Sequence, residues 1–352
     1  MSLRTWARAA HARILAAMGC IAAVAFAAPL AAQSVESFYK GTQVKLIIGS
    51  TPGGDYDLWS RIIGRHMTRH LPGQPAIVPQ NMPGGGTIVA ANHLYNLAAK
   101  DGSVFGVFSR NLPGQAVLNM PNIKFDPQKF GYLGSPELPS RICLAVSTSA
   151  VKSAADLFTR ELLVGGSGAG TAPSFMPSVL NKVVGMKFKV IEGYGGTNEI
   201  VLAMERGEVE GICQGYAAFS TTKPDWVKSG KVRILFNLER TPFPFLPGVP
   251  SIFDYVKNEE DRQILSFITI GSEIGRPYVT PPGVPAERFK ALQDAFAQAL
   301  RDPDLLSETK KQGLDVTYRS GAELHDLITR MYATPKPVLD KAAAVMPAGG
   351  GG

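Results

Sequence analysis

The chain has 352 residues, 45% of them hydrophobic and 18% charged, with 36 Lys and Arg against 29 Asp and Glu for a formal net charge of +7. That length suffices for two domains of ordinary size. No run of Lys and Arg forms a nucleic-acid patch, so the mild basic balance suits small anionic ligands and no nucleic-acid partner is expected.

Residues 1–13 carry Arg4, Arg8 and Arg13 and no acid, Ile14–Ala28 is apolar, and Pro29-Leu30-Ala31-Ala32-Gln33 ends in small residues. This pattern predicts a secretory signal peptide, residues 1–32, cleaved after Ala32, and hence a periplasmic protein. The run is Ala-rich and just short of the ~20 residues of a membrane span. Ala17-Met18-Gly19 ahead of Cys20 is a poor match to a lipidation signal. Without the three arginines, 33 basic and 29 acidic side chains remain, a net charge of +4.

Short apolar runs then alternate with amphipathic stretches, which predicts an α/β protein. Val44–Ile48 reads as a buried strand, followed by the turn 49–54 and a helix with Leu58, Trp59, Ile62, Ile63 and Met67 on one face. Ala76–Val78 is a second strand, and 81–86 leads to a helix through Leu94 and Leu97. Val104–Phe108 is a third strand. Glycines after strands suit a mostly parallel sheet with ligand-facing loops at the strand carboxyl ends. The grammar restarts after residue 140, with strands expected at Ile142–Val146, Leu162–Val164, Phe188–Ile191, Val209–Cys213 and Val232–Phe236. Ser153 and Asp156 mark a helix start, and another helix ends at Gly207. In the tail, Phe289, Leu292, Phe296 and Leu300 lie at helical spacing until Asp302-Pro303 stops them. Ser320-Gly321-Ala322-Glu323 is a capping box ahead of a last helix. Helices after the second sheet imply that the chain crosses back. The expected organisation is a first lobe of 33–140 plus 247–345, a second lobe of 141–246, a cleft between them, and a flexible tail, 346–352.

Three loops are rich in glycine: 49–57, 81–86 and 165–171. Glycine lets backbone N–H groups converge, and a following helix start adds partial positive charge, so such a loop cradles an anion. Loops 49–57 and 165–171 fall in different lobes, so a ligand gripped by both would close the cleft. No lysine follows either loop in the Walker pattern, and Thr171 stands where a dinucleotide fingerprint needs its third glycine. Ala169 breaks a nucleophile elbow around Ser167. His66 and His70 are four apart, but Met67-Thr68-Arg69 between them lacks the glutamate of a zinc helix, so solvent-facing histidines are expected and no metal. No catalytic set can be assigned, and no cofactor is expected. Asp57 and Arg61 are spaced as a helix-surface pair, and Asp57 also stands where it can order the loop. Cys143 and Cys213 survive cleavage. A disulfide between them and two buried free thiols both stay open.

With these loops laid out, the chain resembles the solute-binding proteins of tripartite tricarboxylate transporters, the Bug family, from about Phe38 to about Leu339. The residues that carry the resemblance are Pro52-Gly53-Gly54-x-x-Asp57, Asn81-x-Pro83-Gly84, Lys100-Asp101-Gly102, Ser167-Gly168-x-Gly170-Thr171, Tyr194-x-Gly196 and Gly207-Glu208-Val209-Glu210. Leu246–Ser251 and Pro281–Pro285 extend it. The resemblance implies a two-lobed type II periplasmic-binding fold that performs no chemistry. It implies a ligand carboxylate held by Thr51, Pro52, Gly53, Gly54 and Asp57 in one lobe and by Ser167, Gly168, Gly170 and Thr171 in the other. Asn81, Ser109, Arg110, Tyr194 and Gln214 complete the expected site. Three positions depart from the family's habit: Arg110 replaces a small residue, Gln214 stands near a usual aspartate, and Ser174 replaces a histidine. These exchanges add positive charge, which disfavours an amino acid and favours a dicarboxylate, tricarboxylate or aromatic acid. A monomer delivering its ligand to a membrane permease is expected. The alternatives are a ligand-sensing subunit for a sensor kinase and a periplasmic enzyme.

Overall fold

The computed structural model describes residues 34–345 apart from 54, 138, 139, 169, 170, 241, 242, 244 and 245. The expected signal peptide and tail, and the site residues Gly54 and Gly170, therefore lie outside the described residues.

Ser34 caps a short helix, α1 (Val35–Tyr39), whose Tyr39 is buried. Strand β1 (Gln43–Ile48) follows, and its last three residues are all buried, as an apolar run in the middle of a sheet requires. Helix α2 (Asp55–Met67) covers one face with Trp59, Ile62, Ile63 and Met67, none of them accessible to solvent. Then come β2 (Ala76–Asn81), α3 (Ile88–Asn96), β3 (Val104–Val107), α4 (Leu112–Val117) and β4 (Gly131–Ser135). Strand β1 pairs in parallel with both β2 and β3, so the loops after all three leave the same edge.

A second sheet opens with β5 (Arg141–Val146). A turn of 3-10 helix at Ala154–Phe158 follows, with Ser153 and Asp156 as its capping box. Next are β6 (Leu162–Gly165), α5 (Ala172–Val183), β7 (Phe188–Ile191) and α6 (Thr197–Arg206), the last closed by Gly207 in the left-handed region. Strand β8 (Gly211–Gly215), α7 (Tyr216–Thr222) and β9 (Val232–Asn237) complete the lobe, in the order β7-β6-β8-β5-β9. The expected strand Val209–Cys213 lies two residues further on. The Glu210 N–H and carbonyl serve Leu163 and Val146 at the entrance to the ladder, and β8 itself begins at Gly211. In register across β5 and β8, Cys143 faces Cys213, and the two are joined by a disulfide with Cα atoms 4.1 Å apart.

The chain then returns. Helix α8 (Glu259–Ile274) leads to β10 (Tyr278–Thr280), α9 (Ala286–Ala299) and α10 (Pro303–Lys311). Asp302-Pro303 does more than stop α9, because the Asp302 carboxylate accepts from the Asp304 N–H and Pro303 occupies the first turn of α10. Strand β11 (Arg319–Ser320) precedes α11 (Gly321–Tyr332), whose capping box is Ser320 and Glu323, and α12 (Lys336–Val345) ends the described chain. Strands β10 and β11 enter the first sheet, in the order β11-β4-β10-β3-β1-β2. The result is a two-lobed α/β protein with a cleft between the lobes. His66 and His70 are not solvent-facing. Their Nε2 atoms lie 2.8 Å from Glu308 and Asp302, so the pair ties α2 to the returning chain. Among the described residues no group of three His, Cys, Asp or Glu is arranged to hold a metal. No described helix is long and apolar enough to cross a membrane.

Candidate functional site

The loop after β1 is held from below by a small polar network. Asp57, 4% exposed, accepts from the Gly53 N–H and from Arg61 Nε, both at 2.9 Å. Asn81 Nδ2 donates to the other Asp57 oxygen and to the Ser50 carbonyl, each at 2.9 Å, and Asn81 Oδ1 accepts from Arg61 at 3.0 Å. The Arg61 guanidinium holds the Asp57 carboxyl down at about 2, helped by Gly53 and Asn81 and opposed by burial. Asp57 and Asn81 thus spend their side chains on shaping the loop, while Thr51, Pro52 and Gly53 are exposed at its crest. Gly53 has a φ of +82°, a region that favours glycine, so the turn that points its N–H at Asp57 depends on the residue type.

In the second lobe the loop after β6 is braced in a similar way. Ser167 Oγ donates to Thr171 Oγ1 at 3.0 Å, and Thr171 Oγ1 donates to the Gly168 carbonyl at 2.8 Å. The Gly168 N–H, at a residue with φ of +114°, donates to Glu192 Oε2 at 3.0 Å. Ser174, which is buried, donates to the same Glu192 oxygen at 2.8 Å. In each lobe, then, a loop N–H already meets a carboxylate belonging to the chain itself.

The other expected residues fall into two groups. Ser109 and Arg110 follow β3. The Ser109 N–H is held by Thr87 Oγ1 at 2.8 Å, and the Arg110 N–H donates to the Tyr56 hydroxyl at 3.4 Å. Gln214 is 3% exposed near the carboxyl end of β8, with its Oε1 accepting from Thr197 at 2.6 Å. Tyr194 is turned elsewhere. Its ring packs on the second lobe's core and its hydroxyl lies 3.5 Å from Glu208, so the structure does not gather it with Arg110.

Residues outside the glycine-rich motifs join this region. The Tyr56 ring lies under the Arg276 guanidinium at 4.6 Å, and Arg276 is paired with Glu137 at 3.1 Å, an acid that also accepts from the Trp59 indole at 3.0 Å. Arg141, the first residue of β5, is half-buried. Its enclosure and the nearby Arg110 bring its guanidinium down to about 10, against the pull of Glu239 and Tyr56. Glu239 is 6% exposed, and burial pushes its carboxyl up to about 8 in spite of Arg141 and Arg319. The signal that was available for Arg141 is its place, a lone guanidinium immediately ahead of the apolar run Ile142–Val146.

The sequence profile described as the tripartite tricarboxylate transporter family receptor matches residues 60–343. A Cupriavidus necator protein described as a UPF0065 protein in the gbd 5′ region is 23% identical over 347 residues, covering 95% of this chain and 96% of that one. The crystal structure of a TctC solute-binding protein from Polaromonas superposes with a TM-score of 0.69 at 18% identity, over 86% of this chain and 99% of that one. A Rhodopseudomonas palustris protein solved with adipate gives a TM-score of 0.57 at 20% identity, over 87% and 99%. The matched profile spans most of the chain and the solved relatives share its two-lobed fold, so the protein belongs to the tripartite tricarboxylate transporter receptor family of solute-binding proteins.

Proposed function

We propose that the protein is a periplasmic receptor that captures a small carboxylate between its lobes and delivers it to an integral-membrane permease of tripartite tricarboxylate type. The two lobes are taken as 33–140 with 247–345 and 141–246. The ligand is a dicarboxylate, a tricarboxylate or an aromatic acid. Its first carboxylate is held by backbone N–H groups of Thr51–Asp57 and Ser167–Thr171, and Arg110 takes a second acid group, with Ser109 and Gln214 beside it. The observation that carries this reading is the use of Gly53 and Gly168. Both loops leave carboxyl ends of parallel strands, and both present an N–H to a carboxylate at 2.9 or 3.0 Å. Braced in this way from within, the loops can turn their other N–H groups to an incoming acid, and the adipate bound to the palustris relative is a dicarboxylate.

Binding works by favouring the closed arrangement, in which both loops reach the ligand. The test is a thermal-shift and calorimetry screen of mono-, di- and tricarboxylates, aromatic acids and amino acids. Stabilisation by acids with two carboxylates is expected. A screen in which amino acids or neutral solutes bind best, or in which a substrate is turned over, would defeat the proposal.

A further inference from the structure

We infer that Arg141 joins Arg110 at the lobe crossover to take the second acid group of a dianionic ligand from both lobes at once. This rests on the carboxylate-receptor reading above and sharpens it to a class.

Topology places the two arginines on facing edges. Arg110 stands three residues beyond β3, on the edge from which the loop after β1 also leaves. Arg141 faces Gly215, the last residue of β8. Strand β8 runs parallel to β6, so Arg141 sits on the edge that carries the loop 166–171. Among the described residues no carboxylate forms an ion pair with either half-buried guanidinium.

A buried carboxyl flanks Arg141 on one side. Toward β9, the Leu238 N–H donates to the Arg141 carbonyl at 2.9 Å, which brings the next residue, Glu239, alongside. Neither Glu239 carboxyl oxygen has a partner among the described residues. Burial pushes that carboxyl up against the pull of Arg141, which makes it a weak counterion for the guanidinium. Tyr56 accepts from the Arg110 N–H, which leaves its own proton to donate.

Two guanidiniums, a buried carboxyl and a phenol thus come together at the crossover, with no ion pair to either arginine among the described residues. An amino acid's ammonium would meet the like charge of two guanidiniums there. A carboxylate satisfies several of these donors and offsets the repulsion between the arginines, each in the charge-assisted geometry that guanidinium favours. Because Arg110 and Arg141 belong to different sheets, one carboxylate between them also holds the lobes together.

The experiment is calorimetry on the purified chain with two matched series: α,ω-dicarboxylates from succinate to adipate with terephthalate, and monocarboxylates from butyrate to hexanoate with benzoate. The tightest dianion is expected to bind at least tenfold more tightly than its monocarboxylate match. Arg141→Gln should weaken that dianion tenfold to a hundredfold and leave the monocarboxylate unchanged. In an Arg110→Ala background the same substitution should cost less than threefold, because the shared carboxylate contact is already lost. Should Arg141→Gln not fold, Arg141→Lys carries the test, with a threefold or greater loss confined to the dianion. Equal affinities for the two series, losses that fall on both alike, or a dianion affinity untouched by the substitution would overturn this inference and leave the carboxylate receptor standing. No binding in either series would overturn both.

Discussion

Arg110→Ala distinguishes the two ends of the proposed ligand. If the guanidinium grips a second carboxylate, the variant should weaken a dicarboxylate by roughly 1.5–3 kcal/mol, the scale of a hydrogen bond to a charged group. A matched monocarboxylate should be affected little, and calorimetry reads both. Glu239 gives a prediction about stability. Its folded carboxyl is raised to about 8, so between its ordinary range and pH 8 the folded state holds a proton that the unfolded state has released. Stability is therefore full below the ordinary carboxyl range and falls as pH rises toward 8, by about 1.4 kcal/mol per pH unit at most. The charged groups acting on Glu239 are Arg141, Glu273 and Arg319; the two arginines narrow the pH window by lowering the carboxyl, and Glu273 widens it. Glu239→Gln should flatten it, so that chemical denaturation at pH 5 and pH 8 gives closer midpoints than in the parent. An unchanged slope would place the titrating group elsewhere. Asp57 has the opposite sign. Held at about 2, it contributes stability above its ordinary value, and that contribution is lost as pH falls through about 2.

Strands and loops differ in how openly the sequence announces them. Runs such as Leu46-Ile47-Ile48 and Leu162-Leu163-Val164 are apolar on both faces because sheets with covered faces demand it, and they were readable. Strands β4, β10 and β11 were not. Strand β4 is Gly131-Tyr132-Leu133-Gly134-Ser135, and the other two span three and two residues, so pairing partners distant in sequence decide them. Helix α8 hides for another reason. Ser266 and Thr269 are buried in it with hydroxyls bonded to Arg262 and Leu265 one turn back, so polar residues sit where an amphipathic pattern needs apolar ones. The two glycine loops of the candidate site were legible because turn chemistry is local. Arg141, Tyr56 and Glu239 were not, since only the crossover brings them near one another. The disulfide between β5 and β8 closes a separation of 70 residues, for which chain entropy suggests about 4 kcal/mol. Reduction should lower the second lobe's unfolding midpoint, and intact mass with and without reductant should differ by two hydrogen atoms. Free thiols in periplasmic material would count against the bond.

At the scale of the whole molecule, a ligand that binds only the folded chain raises stability by mass action, by about 2.7 kcal/mol at a hundredfold excess over Kd. If capture closes the cleft, small-angle scattering should show the radius of gyration falling as ligand is added. Constant dimensions at saturation would mean that the lobes do not move. The sheet order carries a further consequence, for how the chain is made. Strand β4 lies between β10 and β11, and both are synthesised only after the whole of the second sheet. All strands of that second sheet fall within 141–237, so it can close while the first still lacks two members. The lobe that comes second in sequence should therefore be the first to finish, reversing the usual order in which N-terminal units fold ahead during synthesis. Pulse-labelled hydrogen exchange during refolding should find amides of β5, β6 and β8 protected before those of β4. Protection of β4 at the same moment would show that the two sheets form as one cooperative unit.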